Sequence, residues 1–342
     1  MKTTPCLTHL TPAHLAIWQL IRTTGVGPVA FKRLLKLCNH NPLNATEQFS
    51  ELAAARGRKA KLCPMSDIEA EAEALYKAGG QAVFLGDDAY PTLLSHIPDC
   101  PPMLHIIGNL ETLNMNSYAI VGSRNASAVG MKFAEELATD LTLNGATITS
   151  GLARGIDTAA HTGELQNGFT LAVVAGGVNH IYPPENKNLR EKIIAEGCVI
   201  SENPFGSTPT NRHFPRRNRI IAGLTRATVV VEATRKSGSL ITATFAGEYG
   251  RDVYAVPGAP ADPRATGSNH LLKQVAQLLE SAEDILQNTP LQNSFTPQPK
   301  TVYVGEDFTP NLFETATEET SEPTEGILNL LSTAPVTRYS HP

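Results

Sequence analysis

The segment HFPRRNRIIAGLTRATVVVEATRKSGSLITA, residues 213–243, contains the pattern that decides the fold. The β-branched run ATVVVE at 227–232 is typical of a strand buried on both faces. A turn of small residues, Ser237-Gly238-Ser239, then begins a helical pattern over 239–249. A strand, a small-residue turn and a helix in this order present free backbone N–H groups to an anion. Four arginines precede the strand within eight residues: Arg212, Arg216, Arg217 and Arg219. The segment therefore predicts guanidinium groups beside a phosphate cradle, the alternative being a solvated helix followed by an ordinary turn.

Outward from this segment, short apolar strands alternate with helical patterns in both directions. The predicted strands are 81–85, 103–107, 118–121, 146–149, 169–175, 198–201, 227–232 and 252–256. The predicted helices between them are 128–143, 155–166, 185–195, 214–224 and 239–249. This alternation predicts an α/β protein with a doubly wound, Rossmann-like parallel sheet. Ligands of such sheets bind at the carboxyl ends of the strands, and we call this edge of the sheet the rim.

The two ends of the chain have different patterns. Residues 1–78 predict a small all-α domain that contains a helical hairpin, broken at Gly25-Val-Gly-Pro28. A helix–GxG–helix hairpin can hold a DNA phosphate on its N–H groups, or it can simply turn a corner. Residues 79–287 form the Rossmann-like domain. Residues 288–323 predict an acidic linker, and residues 324–342 contain one short amphipathic helix.

Composition excludes several classes of protein. Seven acids and one base after residue 300 carry −6, which leaves +1 of the net charge of −5 on residues 1–300. The five cysteines are scattered without the spacing of metal ligands, which indicates reduced thiols. No secretion signal or membrane span is found in the sequence, so we expect a cytoplasmic protein with no membrane partner. No GxGxxG motif follows a strand, and we expect no cofactor.

Small and basic residues collect where the predicted strands end, on the rim. Glycines let an anion approach the backbone, serines donate hydrogen bonds, and arginines supply charge. The candidate anion-binding residues are Gly122, Ser123, Arg124, Gly151, Arg154, Lys187, Arg217, Asn218, Arg219, Ser237, Gly238 and Ser239.

Four segments in order resemble the DNA-processing protein A family, also called DprA or Smf. They are AIVGSRNASAVG (119–130), SGLARGIDTAAHTGEL (150–165), IYPPENKNL (181–189) and the stretch 200–258. The resemblance covers about residues 80–287 strongly and the N-terminal domain loosely. It implies an extended Rossmann-like domain that binds single-stranded DNA, forms a homodimer and hands strands to the recombinase RecA during natural transformation. It implies no catalytic activity.

The chain departs from the family pattern at two places. Asn179 stands where many members have Asp before the Tyr-Pro motif. Many members end in a winged-helix domain, of which 324–342 resembles only the start, so we expect a truncated winged helix.

The individual rim residues have alternative roles. Arg124 follows a strand at a Gly-Ser turn and is predicted to contact a phosphate. Arg217, Asn218 and Arg219 match the family's Arg-Asn-Arg, although one of these arginines could pair with Glu202 or Glu232. Lys187 either contacts phosphate or is solvated.

Further candidates are aromatic or titratable. Tyr182 and Phe214 are candidates for base stacking, and Phe214 could equally pack in the core. Asp157 and His161 could suggest acid–base chemistry, but Asp157 is placed to cap the helix that follows it.

The run HLLKQVAQL, residues 270–278, is apolar at helical spacing, and the resemblance places a dimer interface there. The candidate interface residues are His270, Leu271 and Leu278. The alternative is that Leu271, Leu272 and Val275 face the core of their own domain.

Two enzyme functions compete with the DNA-binding prediction. A nucleotide hydrolase of the lysine-decarboxylase-like group would carry PGGxGTxxE, but residues 237–243 read SGSLITA and lack its glutamate. A dinucleotide oxidoreductase would need the absent GxGxxG. We therefore predict a binding protein rather than an enzyme.

Overall fold

The structure is a computed structural model that describes residues 10–55, 60–274 and 276–291. The α-helices are α1 Pro12–Arg22, α2 Pro28–Leu37, α3 Pro42–Glu47, α4 Phe49–Ala54, α5 Met65–Lys77, α6 Thr92–Ser95, α7 Ala128–Leu143, α8 Ile156–Glu164, α9 Lys187–Glu196, α10 His213–Leu224, α11 Gly238–Glu248, α12 Thr266–Leu272 and α13 Ala282–Asn288. The strands are β1 Gly80–Phe84, β2 Met103–Gly108, β3 Ser117–Val121, β4 Thr147–Ser150, β5 Thr170–Val173, β6 Cys198–Ser201, β7 Ala227–Val230, β8 Asp252–Ala255 and β9 Gln277–Leu278. The predicted order of strands and helices is confirmed.

Helix starts follow local chemistry. Pro12 and Pro28 stand at first helical positions, where the missing N–H costs nothing. Thr11 caps α1 by accepting a hydrogen bond from the His14 N–H, and Ser127 caps α7 in the same way from Gly130. These caps fix where the chain turns from loop into helix.

The strands form one sheet in the order β1-β2-β6-β5-β4-β3-β7-β8-β9. The strands from β3 to β9 pair in parallel, so their carboxyl ends meet at one edge. The order reverses between β3 and β7, which makes this point of the rim the expected crevice of a doubly wound fold. β2 pairs antiparallel with both β1 and β6, so the sheet is mixed rather than parallel throughout.

Helices cover both faces of the sheet because successive strand residues point to opposite faces. Tyr118 and Ile120 of β3 pack with α7, α8 and α13, whereas Ala119 and Val121 pack with α6, α10, α11 and α12. The N-terminal helices and α9 share a third cluster with strand residues that include Phe84 and Met103. The helical N-terminal domain therefore packs directly on the sheet.

A partly buried carboxylate fixes this packing. Glu71 of α5 accepts hydrogen bonds from Arg22 at 2.8 Å, from Trp18 Nε1 at 2.9 Å and from the Phe205 N–H at 2.9 Å. Burial raises the pKa of Glu71, but the hydrogen bonds and charge of Arg22 outweigh it and leave the pKa below its usual value. An ionised Glu71 thus links two helices of the N-terminal domain to the loop after β6.

The predicted helix over 270–278 is wrong in its extent. α12 ends at Leu272, and Leu278 lies in β9, which pairs with β8 at the edge of the sheet. Leu271 is buried in the core of its own domain, as the alternative held, while half of Leu278 is exposed. Helical spacing alone could not detect this change because an apolar run can also end in an edge strand.

Some predictions lie partly or wholly outside the described residues. These are the linker 288–323 beyond Leu291 and the winged-helix remnant 324–342. Among the described residues, no helix is long and apolar enough to span a membrane. The same residues contain no group of three or more His, Cys, Asp or Glu side chains that could hold a metal ion.

Candidate nucleic-acid interface

Two loops of the rim are locked together at the carboxyl ends of β3 and β4. The carbonyl of Ser123 accepts a hydrogen bond from the Ile156 N–H at 3.2 Å. Gly155 has a φ of +72°, and a Cβ at this position would overlap the carbonyl of Ser123. A side chain at Gly122 would come within 2.6 Å of Ile156. These close approaches require glycine and hold the backbone that carries Arg124.

Arg124 of this loop pair forms a stack with two aromatic rings that come from other segments, Phe214 of α10 and, beyond it, Tyr182 of the loop before α9. The guanidinium carbon of Arg124 lies 4.9 Å from the centre of the Phe214 ring. The Tyr182 ring lies 5.5 Å from Phe214 and is tilted by 57°. Tyr182 is 46% exposed and Arg124 is exposed. We call these three residues the rim stack, which can pair a cation with a phosphate and offer ring faces to a flat ligand.

Arg217 lies beneath the rim stack instead of on it. The residue is 5% exposed, and its Nη1 donates to the carbonyls of Gly151 at 2.6 Å and Val173 at 2.5 Å. Burial lowers the pKa of Arg217 to about 10, although the nearby Asp157 opposes this. A Cβ at Gly151 would overlap this guanidinium, which explains the glycine. The sequence predicted a phosphate contact for Arg217, whereas the structure gives its Nη1 two backbone acceptors inside the protein.

Arg219 also points inward. The alternative prediction, that one of these arginines pairs with Glu202 or Glu232, is correct for this residue. It forms an ion pair with Glu202, and its Nη1 donates to the carbonyl of Asp99 at 2.6 Å. Burial lowers the pKa of Arg219, but the charges of Glu202 and Asp99 outweigh it and raise the pKa. Arg219 is 4% exposed, so it fixes the segment before β2 to the end of β6.

Asp157 and His161 have structural partners. The carboxylate of Asp157 accepts from the N–H groups of Gly151 at 3.2 Å and Ala153 at 3.3 Å. Burial raises its pKa, and Arg217 opposes the rise. The predicted cap is wrong, because α8 begins after Gly155 with no side-chain cap, and Asp157 holds the preceding loop instead. His161 Nδ1 lies 2.7 Å from Thr170 Oγ1, and burial lowers the pKa of His161 to about 3.

The turn after β7 starts a helix as predicted. Ser237 caps α11, and its Oγ lies 2.7 Å from Ser239 Oγ. Asn218 donates to the carbonyl of Gly238 at 3.0 Å and so ties α10 to this turn. An added Cβ at Gly238 would meet nothing within 4 Å, which leaves room beside the turn.

Two further basic residues that the sequence assigned to the rim are exposed. Lys187 is the first residue of α9, with its Nζ 4.0 Å from Glu191 and its side chain 62% exposed. Arg154 forms an exposed ion pair with Glu185. Both side chains can exchange these weak pairs for an anion.

The sequence analysis missed one polar residue that shapes the rim, Asn186, and considered only an arginine as the partner of another, Glu232. Asn186 donates to the carbonyl of Leu152 at 3.0 Å and to Thr158 Oγ1 at 2.9 Å, which anchors the loop before α9. Its position in the quoted motif IYPPENKNL was the available signal. Glu232 accepts from Ser127 Oγ at 2.6 Å and from the Ser127 N–H at 2.9 Å, and therefore occupies the start of α7 itself.

Residues 81–290 match the family model for the DNA recombination-mediator protein A, and residues 12–74 match the DprA-like N-terminal HHH domain. The chain is 47% identical over 201 residues to the DNA processing protein DprA of Streptococcus pneumoniae, which covers 58% of this chain and 71% of the relative. It is 37% identical over 290 residues to the protein Smf of Synechocystis, and the match covers 80% of this chain and 71% of that relative.

Two solved structures are similar to this one. DNA processing protein A from Streptococcus pneumoniae superposes with a TM-score of 0.68 at 34% identity, over 82% of this chain and 98% of the other. DNA processing protein A from Helicobacter pylori was solved to study its single-stranded DNA binding mode. It superposes with a TM-score of 0.56 at 27% identity, over 60% of this chain and 94% of the other.

Proposed function

The chain belongs to the DNA recombination-mediator protein A family, and from this premise we propose that it binds single-stranded DNA across the rim. The observation that carries the proposal is the rim stack, in which the exposed Arg124 lies over Phe214 and the Tyr182 ring contacts the same phenylalanine. Unpaired bases stack on aromatic faces, and phosphates bind guanidinium groups, so one stack serves both parts of a nucleotide. The stack also lies beside the switch point of the sheet.

The rim residues then divide into two roles. Arg124, Lys187 and Arg154 contact phosphates, assisted by backbone groups at Gly122-Ser123 and at Ser237-Gly238-Ser239. Gly151, Arg217 and Asn218 position these loops from below, while Arg219 holds the end of β6. The buried charge of Arg217 adds to the positive potential under the strand.

We take the biological role of the protein from the role of its family. We propose that the protein protects incoming single strands during natural transformation, acts in the cytoplasm and helps to load RecA onto the DNA. We also propose the domain division 1–78 and 79–287 with the linker 288–323.

We also propose that the protein forms a dimer, through the edge strand β9 rather than through an apolar helix over 270–278. The exposed Leu278 lies on β9, and an edge strand can pair with a second copy. His270 lies before β9, on α12, whereas Leu271 packs in the core. His270→Glu with Leu278→Glu is expected to give a folded monomer by light scattering, and a persistent dimer would place the interface elsewhere.

A binding role fits the rim better than hydrolysis of nucleotides. Three groups that could act as acid or base in a hydrolase already have partners: Asp157 with loop N–H groups, His161 with Thr170, and Glu232 with Ser127. An imidazole with a pKa of about 3 is neutral at physiological pH and is a weak base.

The test compares one oligonucleotide as a single strand and as a duplex, by fluorescence anisotropy with the full chain. We expect clear preference for the single strand, because only unpaired bases can stack on Tyr182 and Phe214. Release of base or phosphate from nucleoside monophosphates is measured in parallel. Equal affinity for duplex and single strand, or turnover of a nucleotide, would overturn the proposal.

A further inference from the structure

A second basic surface lies between the N-terminal domain and the sheet. It is a groove of about 1050 Å³, bounded by the α1–α2 hairpin, the segment 99–103, the loop after β6 and the first turn of α10. We call it the interdomain groove. The established family match says nothing about it, and the rim does not include it.

The interdomain groove carries an excess of positive charge. Five arginines and two acids line it. Arg219 is paired with both acids, Asp99 and Glu202, and Arg22 is bonded to Glu71. The excess on the α10 side therefore comes from two exposed arginines, Arg212 and Arg216. Neither Arg212 nor Arg216 forms an ion pair within residues 10–55, 60–274 and 276–291.

The first turn of α10 separates the interdomain groove from the rim. Residues three and four apart lie on one face of a helix. Arg212, Pro215, Arg216 and Arg219 follow this spacing and line the groove, whereas Phe214 and Arg217 line the small cleft under the rim stack. One helical turn therefore presents a base-stacking ring on one side and phosphate-binding cations on the other.

The opposite wall of the interdomain groove combines apolar and backbone groups. Val29 is 52% exposed and follows Gly27 and Pro28 at the start of α2. An added Cβ at Gly27 would meet nothing within 4 Å, so a ligand can approach the hairpin backbone closely. Phe245 of α11 adds a partly buried ring to the lining. Apolar surface facing arginines suits a flexible chain of bases and phosphates.

Hydrogen bonds join the walls of the interdomain groove and set its width. Glu71 joins α1 and α5 to the Phe205 N–H of the loop after β6. Lys32 of α2 donates to the carbonyls of Ile97 at 2.9 Å and Pro98 at 2.7 Å. These contacts hold both walls in place without a ligand, which lowers the cost of binding.

We propose that the interdomain groove carries the continuation of the DNA strand bound on the rim, with Arg212 and Arg216 holding its phosphates. The strand crosses the first turn of α10 between the two surfaces. This proposal rests on the proposed function and extends the binding site from the sheet onto the N-terminal domain. It makes the affinity depend on the length of the strand.

The test uses the double variant Arg212→Gln/Arg216→Gln of the full chain with oligothymidylates of about five and about twenty nucleotides. The short strand is expected to bind like wild type, because it fits on the rim. The long strand is expected to bind more weakly, and its slope of log K against log salt falls by roughly 1.4, about 0.7 for each lost contact. Arg212→Lys/Arg216→Lys is expected to keep the slope.

The matched control is Lys77→Gln/Lys192→Gln, which removes the same charge from exposed residues outside both surfaces. It is expected to leave both strands unaffected. If Arg124→Ala weakens both strands while the groove variant weakens neither, the groove proposal fails and the rim proposal stands. Equal weakening of short and long strands by the groove variant also contradicts the proposal, because these arginines would then act on the rim. If Arg124→Ala has no effect on either strand, the proposed function itself fails.

Discussion

Arg216 and Arg217 are neighbours in the chain, yet they occupy opposite environments. Arg216 is exposed in the interdomain groove, whereas Arg217 is 5% exposed under the rim and donates to two backbone carbonyls. The same contrast separates Arg124 on the surface from Arg219 inside. A cluster of arginines in a sequence therefore contains two functional classes, which only the direction of each side chain distinguishes.

The two classes differ in what they contribute. A buried guanidinium has lost its water and is stable only while its acceptors and counter-charge remain. Arg217 is thus part of the fold. An exposed guanidinium keeps its hydration and contributes little to the free energy of unfolding, so its charge remains available for an anion. Stability and DNA binding should therefore respond to different arginines.

The largest expected effect comes from Arg217→Met. This change removes both hydrogen bonds and leaves Asp157 buried without its nearby cation. We expect the free energy of unfolding, measured with urea, to fall by about 3–5 kcal/mol. Arg216→Met is the matched control one residue away, and it should stay within about 0.5 kcal/mol of wild type. Similar stabilities for the two variants would remove the distinction between the classes.

A smaller loss of stability is expected from Gly151→Ala. The new Cβ would overlap the guanidinium of Arg217, so the loop or the arginine must shift at a cost of about 1–3 kcal/mol. Gly238→Ala is the control, because nothing lies within 4 Å of its added Cβ. In the Arg217→Met background the penalty should shrink, and additive penalties in a double-mutant cycle would show that the two sites are independent.

The pH dependence of stability tests whether Arg217 affects the pKa of Asp157. Burial raises its pKa and Arg217 opposes the rise, so Arg217→Met should raise the pKa of Asp157 further. A raised carboxyl pKa means that the folded state binds the proton more tightly, and stability falls as pH rises from the unfolded pKa of about 3.9 through the folded value.

The destabilisation caused by Arg217→Met should consequently be smaller near about pH 5 than near about pH 8. Chemical unfolding of wild type and variant at both pH values measures this difference. A destabilisation that does not change with pH would mean that Asp157 does not sense Arg217.

The sequence predicted most secondary structure because strands and helices here have clear apolar periods. The predicted helix 128–143 coincides with α7, and Ser237 caps α11 where the small-residue turn was placed. Arg124 was predicted at the surface because a strand end followed by Gly-Ser leaves a side chain little core to enter. These features depend on neighbours in the chain.

The features that the sequence did not predict depend on partners that are distant in the chain. Nothing near Arg217 shows that the carbonyls of Gly151 and Val173 will meet its guanidinium, or that Asp99 and Glu202 will meet Arg219. The antiparallel placement of β2 beside β6 and the end of α12 at Leu272 likewise follow from pairing across the sheet. The interdomain groove arises from the packing of two domains and has no local sequence pattern.

The most direct test of the central claim is the salt dependence of single-stranded DNA binding by Arg124→Ala. Arg124 is exposed, so the melting temperature should stay close to that of wild type. The affinity should fall for all sequences, and the slope of log K against log salt should decrease by roughly 0.7, as expected for one lost phosphate contact. Lys77→Ala, on an exposed residue before the amino end of β1, should leave the slope unchanged. An Arg124→Ala protein with the wild-type affinity and slope would show that the strand does not lie on the rim.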